Sequence, residues 1–327
     1  MQGTHSAAAA CKVLIVGAGD IARRVVPELL GRNRVYVVAR RRDQAETFAG
    51  LGATPVMADL DDPDSLKGLT GLADAVLHLA PPSAEGSTDT RTRHLISAFD
   101  ASMLAQGAAA TCEGETGAGA ELGSPRRVAR LVYVSTSGVY GDCRGEWVDE
   151  SRAPNPASPR ARRRIDAEEA LQAWGRRAGA AVIVLRAPGI YGTERLPLER
   201  LRLGTPVLAA DDDVFTNHIH ADDLAAACVR ALDPGAPPGI YNASDDTVLK
   251  MGDWFDQVAD VFGLPRPPRV RRAAAAATLP PALYSFMTES RRLVNRRMKE
   301  ELGVILRYPT VRDGLSAAVR VLRGSLP

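Results

Sequence analysis

Residues 12–30, KVLIVGAGDIARRVVPELL, decide how the chain is read. Four apolar residues, Val13 to Val16, run directly into Gly17-Ala18-Gly19-Asp20-Ile21-Ala22, and an amphipathic pattern follows. That order predicts a buried strand, a tight turn and a helix N-terminus in immediate succession. The first glycine allows a turn that a Cβ would obstruct, and the second lets the backbone approach a pyrophosphate. The unpaired N–H groups and dipole of the new helix favour that anion. Ala22, at the third small position, serves close packing of helix on strand. Gly17, Gly19, Asp20 and Ile21 are therefore candidate dinucleotide-binding residues. A purely structural turn is the alternative, since small residues join many strands to helices.

A chain of 327 residues accommodates one large α/β domain with an appended lobe, or two modest domains. A hydrophobic content of 45% and a charged content of 24% belong to an ordinary globular protein. The formal charge of +2 is too small to argue for nucleic acid or a membrane surface. Lys12, Lys67, Lys250 and Lys299 are the only lysines, so 37 of the 41 basic residues are arginine. Cys11, Cys112, Cys143 and Cys228 are scattered, which suits incidental thiols rather than disulfides or a zinc site. No apolar run reaches the roughly 18 residues of a membrane span. Residues 1–10 lack a basic region followed by a long apolar core, so a floppy tail and a cytoplasmic protein are expected.

Residues 34–39 (RVYVVA) read as a second strand ending at Arg40-Arg41-Arg42. An NAD-preferring turn usually places an acidic residue here for the ribose 2′-OH, whereas arginine suits a 2′-phosphate. Arg40 thus points to NADP ahead of NAD, with a solvated charge run as the alternative. A helix over 43–51, a strand over 54–58, Asp59-Leu60 and a short helix over 63–68 follow. Residues 73–80 (ADAVLHLA) form a fourth strand, in which His78 reads as a packed or backbone-bonded histidine. A helix over 88–106 gives way to a low-complexity stretch, 107–124, expected to be a mobile insertion. Strand five covers 130–134, a long helix 160–178 and a sixth strand 181–185.

Strands alternating with helices over about 180 residues imply a doubly wound parallel sheet covered on both faces. Residues 11–192 are assigned to this Rossmann-type domain, and 193–327 mostly to a smaller substrate lobe, with 214–243 returning to the core. In the lobe, strands are expected at 217–219 and 240–242, helices at 222–232 and 251–262, a stiff basic linker at 265–272 and an arginine-studded helix at 288–302.

In this order the motifs resemble the extended branch of the short-chain dehydrogenase/reductase superfamily, the NAD(P)-dependent epimerase/dehydratase group. The likeness rests on the glycine turn, Asp59-Leu60, His78-Leu79-Ala80, Val134-Ser135-Thr136 with Val139-Tyr140-Gly141, and Leu185-Arg186-Ala187-Pro188 with Tyr191-Gly192. Ile219-His220-Ala221-Asp222-Asp223-Leu224 and Tyr241-Asn242 extend it towards the C-terminus. The resemblance implies adenine contacts from Asp59 and Leu60, and a cofactor lining from His78, Leu79, Ala80 and Pro188. It also implies a hydride relay, in which Thr136 hydrogen-bonds the substrate oxygen and a Tyr–Lys pair one helical turn apart moves the proton. Relatives with this architecture often act on nucleotide sugars, and the family often dimerises through helices flanking strand five, so a small-molecule substrate and a homodimer are expectations.

Where the Tyr–Lys pair belongs, the sequence reads Ser158-Pro159-Arg160-Ala161-Arg162-Arg163-Arg164. None of the seven tyrosines, Tyr36, Tyr133, Tyr140, Tyr191, Tyr241, Tyr284 and Tyr308, has lysine four residues on. Arginine stays charged and is a poor general base. The Asp-Glu pair that a dehydratase would carry after Thr136 is replaced by Ser137-Gly138. Three readings follow. The first is a redox enzyme with a rebuilt site, in which Thr136 polarises a carbonyl, Tyr140 or water supplies the proton, and Arg160 and Arg164 hold an anion. The second is a non-enzymatic module sensing NAD(P) occupancy, and the third an epimerase without net redox. For the two arginines a solvated helix face is the alternative. His218 and His220 lack an evident third metal ligand, and their segment reads as a junction with an aspartate capping the next helix.

Overall fold

In the computed structural model, residues 11–110 and 127–324 are described. The expected tail at 1–10 and most of the insertion at 107–124 lie outside them. Seven strands form one parallel sheet: β1 (Cys11–Val16), β2 (Asn33–Ala39), β3 (Thr54–Met57), β4 (Ala75–His78), β5 (Arg130–Thr136), β6 (Ala181–Ala187) and β7 (Gly239–Asn242). Their order is β7-β6-β5-β4-β1-β2-β3. Chain direction across the sheet therefore reverses between β1 and β4, which opens a crevice at their carboxyl ends.

The continuous apolar run of β1 has a simple cause. Val13 and Ile15 enter the core on one face of the sheet, while Leu14 and Val16 enter the core on the other. All four are at most 2% exposed, each contributing roughly 1.5–3 kcal/mol of burial. The first face is covered by α1 (Asp20–Leu30) together with the helix Ala221–Leu232, the second by α3 (Thr90–Ala110) and α4 (Pro159–Ala178). Between α1 and α3, α2 (Arg42–Gly50) packs Phe48 into the first core. The helix expected to fade after residue 106 runs to Ala110.

Helix α4 begins at an identifiable signal. Ser158 accepts a hydrogen bond from the Ala161 N–H (3.2 Å), Pro159 opens the first turn, and left-handed Gly179 closes the helix. This start fixes Arg160 in the first turn and Arg164 one turn later, both towards the sheet's carboxyl end.

Two sequence expectations fail in the C-terminal lobe. Residues 288–302 are not one helix: they hold a short strand, Arg292–Leu293, and a short helix, Arg296–Glu300. Arg291 and Arg292 make tertiary contacts, whereas Arg296 and Arg297 pair with Glu300 and Glu301 one turn on. Arg292 lies between the Trp147 and Phe215 rings, 4.9 and 4.8 Å from their centroids, and Arg291 donates to Gly141 O (2.8 Å). The helix Ala221–Leu232 is capped not by an aspartate but by His220, whose Nδ1 accepts the Asp222 N–H (3.2 Å). Asp223 instead accepts the backbone N–H groups of Arg307 and Tyr308.

The sheet's deepest polar feature is an ion pair between Arg186 at the end of β6 and Glu168 of α4, 2.7 Å apart and both buried. Glu168 also accepts from Ser135 Oγ of β5 (2.5 Å). Replacing Glu168 with Gln leaves a buried guanidinium without its carboxylate, and a loss of about 3–5 kcal/mol is expected in denaturant unfolding.

Burial also sets a pH dependence. Desolvation pushes His78 and His218 down to about 3 and His220 down to about 4, so all three are neutral in the fold. An unfolded chain protonates them near 6.5 and therefore binds more protons than the native state below that pH. Asp245 opposes this, since burial raises its carboxyl to about 8 and the fold holds its proton. Burial raises Glu28, Asp213 and Asp223 as well, so the histidine contribution is read by difference: a His218→Gln variant is expected to lose less thermal stability than wild type as pH drops from 6.5 towards 4.

Candidate active site

The crevice at the β1–β4 switch point is a cavity of about 330 Å³. Its floor is the turn after β1. Gly17 has φ +115°, and a Cβ there would meet Ala80 N at 2.7 Å, so this glycine is required by the approach of two backbones. Leu79 and Ala80 N–H both donate to Val16 O (2.8 and 2.9 Å), pinning the turn to the end of β4. Gly19 differs. A Cβ there would meet nothing within 4 Å, and no side chain caps the N-terminus of α1. Open space before an uncapped helix terminus is what a pyrophosphate requires.

Gly17, Gly19, Asp20, Ile21, Arg40, Asp59, Leu60, Leu79, Ala80 and Pro188 all line this cavity, as do Thr136, Arg160 and Arg164. His78 does not. Its side chain lies under β4, fully buried, with Nε2 hydrogen-bonded to Thr92 Oγ1 (2.9 Å), so only its two successors reach the crevice. At the opposite end from Thr136, Arg40 is exposed at the mouth, with its N–H donating to Gln44 Oε1 (3.3 Å). Arg91 also lines that end but is held by Asp61 (2.6 Å).

A second cavity, about 530 Å³, adjoins the first and is walled by the C-terminal lobe. Thr136, Arg160, Pro188, Ile190 and Arg195 line both. Thr136 Oγ1 accepts the Gly138 N–H (3.3 Å), which orients the hydroxyl and leaves its proton free to donate. The guanidinium of Arg160 stands 5.9 Å from the Phe286 ring. Desolvation in the crevice and the nearby Arg164 charge both lower its pKa. Arg164 serves a different purpose. It donates to Val134 O and Tyr133 OH (2.9 Å each), bracing α4 against β5, and so has less freedom to meet a ligand.

Tyr140 lines neither cavity. It is 1% exposed, donates to Asn242 Oδ1 (2.8 Å) and lies beneath the Arg186 guanidinium, 4.7 Å from its ring centroid. Burial raises its pKa despite the arginine. The structure thus places Tyr140 of the Val139-Tyr140-Gly141 motif in the core and outside the lining of both cavities. Among the described residues no cluster of three or more His, Cys, Asp or Glu is placed to hold a metal. No helix among them is long and apolar enough to cross a membrane. Sequence reasoning missed Arg195, which enters both cavities from a 3-10 turn; Arg291, expected on the helix over 288–302 as a residue able to face a pocket, reaches the second cavity from an irregular segment.

The sheet order, the glycine turn and the crevice define a Rossmann-type α/β protein with a dinucleotide-binding layout. Residues 13–244 match the NAD dependent epimerase/dehydratase family, and the chain belongs to it. It is similar to human dTDP-D-glucose 4,6-dehydratase, 28% identical over 124 residues, which are 36% of this chain and 35% of the dehydratase. The chain thus spans about a third of the length of that relative. A conserved protein of unknown function from Silicibacter pomeroyi superposes with a TM-score of 0.74 at 28% identity, covering 95% of this chain and 99% of that one. The Thermus thermophilus UDP-glucose 4-epimerase complex with NAD superposes with a TM-score of 0.70 at 22% identity, covering 96% and 100%.

The two glycines are expected to separate folding from binding. Gly17→Ala should lower the melting temperature, because a Cβ collides with Ala80. Gly19→Ala should leave it unchanged while weakening dinucleotide binding at least tenfold, measured by calorimetry.

Proposed function

We propose that the chain is an NADP-preferring oxidoreductase for a small anionic substrate, with a rebuilt proton-transfer site. The observation that carries this reading is the junction at Thr136 and Arg160, the point where a cofactor crevice and a separate substrate-sized cavity meet. A bound nicotinamide cofactor would give or take a hydride at this junction. Thr136 donates its free hydroxyl proton to the substrate oxygen and polarises the carbonyl. Arg160 and Arg291 present positive charge to the second cavity, against Glu289, which pairs with Arg291 at 2.8 Å. That balance suits a carboxylate or phosphate on the substrate. With Tyr140 buried, water in the open cavity completes the proton transfer. At the other end of the crevice, Arg40 favours the 2′-phosphate over a bare ribose.

A second reading has a specific observation behind it. No tyrosine is followed by lysine at i+4, and Tyr140 is locked beneath Arg186, so a cofactor-sensing module without turnover fits the same crevice. NADPH oxidation against a panel of 2-oxo acids and sugar-phosphate carbonyls separates the two. Turnover that falls at least 100-fold in Thr136→Ala, with cofactor affinity kept, supports the enzyme. Tight NADPH binding without turnover on any compound supports the sensor. Arg40→Ala is expected to weaken NADPH about tenfold and leave NADH unchanged, read by fluorescence titration.

A further inference from the structure

Asp20 is an unexpected residue for its place. It follows Gly19 in the turn where a pyrophosphate would rest, and a bare carboxylate there repels two phosphates. Its carboxylate is not bare. Oδ1 accepts Arg24 Nε (3.1 Å) from the next turn of α1, and Oδ2 accepts Arg195 Nε (2.6 Å). Arg24 in turn is tied to Asp222 of the helix Ala221–Leu232. Burial alone would raise the Asp20 pKa, but the two arginines outweigh it and hold the carboxyl below its ordinary value.

Arg195 comes from a 3-10 turn, Thr193–Arg195, that follows a short strand at the edge of the C-terminal lobe. It is 175 residues from Asp20 in sequence and lines both cavities. Only its Nε is engaged: Nη1 and Nη2 make no hydrogen bond among the described residues. The guanidinium is thus gripped at Nε by Asp20, on a residue that lines the junction of the two cavities.

We propose that Asp20 and Arg195 form a clasp over the crevice, in which Asp20 positions Arg195 to bind the cofactor pyrophosphate. The proposal rests on the dinucleotide reading of the crevice. Asp20 acts as a strut: both of its oxygens are occupied by arginines, so the local field facing a ligand is set by the free edge of Arg195. Two parallel N–H groups match a phosphate's paired oxygens, a geometry that a lysine could not offer. Because the same side chain walls the second cavity, the clasp also closes the side of the substrate site.

The test is calorimetric titration of the full chain with ADP-ribose, which carries the pyrophosphate without nicotinamide, alongside NADPH fluorescence. Wild type, Arg195→Met, Arg195→Gln and Asp20→Asn are compared, with far-UV circular dichroism to verify the fold. Loss of the free edge is expected to weaken ADP-ribose about tenfold in both Arg195 variants. Asp20→Asn is the sharper arm. Removing a negative charge beside two phosphates should tighten binding if Asp20 merely repels, whereas losing the strut should weaken it severalfold. Arg195 variants that bind as wild type, or an Asp20→Asn affinity equal to or above wild type, would overturn the clasp. Wild-type protein that binds neither ADP-ribose nor NADPH would instead defeat the dinucleotide reading itself.

Discussion

The Arg186–Glu168 pair is the constraint around which the sheet's carboxyl end is assembled. Two opposite charges buried together cost several kcal/mol each in desolvation and recover it only in close, well-bonded geometry. Glu168 meets that requirement by accepting from Arg186 and from Ser135, which joins α4, β6 and β5 at one point. Arg186 spreads its remaining face on Tyr140, and Tyr140 reaches Asn242 at the end of β7. Asn242 then donates to Val148 O and Val294 O and accepts nothing from solvent, being fully buried. The buried pair thus ties the last strand and the segments of Val148 and Val294 to the sheet.

That arrangement explains why the site has its present shape. Ser135 is committed to Glu168, so its neighbour Thr136, on the opposite face of β5, is the hydroxyl left for the crevice. Arg164 is committed to Val134 and Tyr133, so of the arginine pair in α4, Arg160 is the one that faces both cavities. The same two positions would look equivalent on a helical wheel. Their different hydrogen bonds make one a brace and the other a candidate ligand for an anion.

Local signals were legible in the sequence wherever a few consecutive residues determine the geometry. The apolar run of β1, the φ-positive Gly17 and the Ser158-Pro159 helix start each act within about one turn of chain. The helix Val311–Gly324 was also legible in principle, since Val311, Leu315 and Ala318 recur at helical spacing and are buried. The fate of Tyr140 was not legible, because Arg186 and Asn242 lie 46 and 102 residues away. His78 was misleading for another reason: it is the last residue of β4 and packs against Thr92 and Tyr133, whereas Leu79 and Ala80 lie past the strand's carboxyl end, where the crevice opens. In residues 288–302 arginines at helical spacing mimicked a helix, while aromatic rings and carbonyls elsewhere in the fold decided the backbone.

The stack of Trp147, Arg292 and Phe215 has a consequence of its own. Trp174 and Trp254 are buried, whereas Trp147 is 54% exposed and touches the cation that also covers Phe215, a wall residue of the second cavity. A rearrangement of that wall that displaced Arg292 would change the cation contact at a surface indole, and with it the indole's quenching and emission colour. Trp147 thus offers an intrinsic optical signal beside the second cavity, one that needs no chromophore on the ligand.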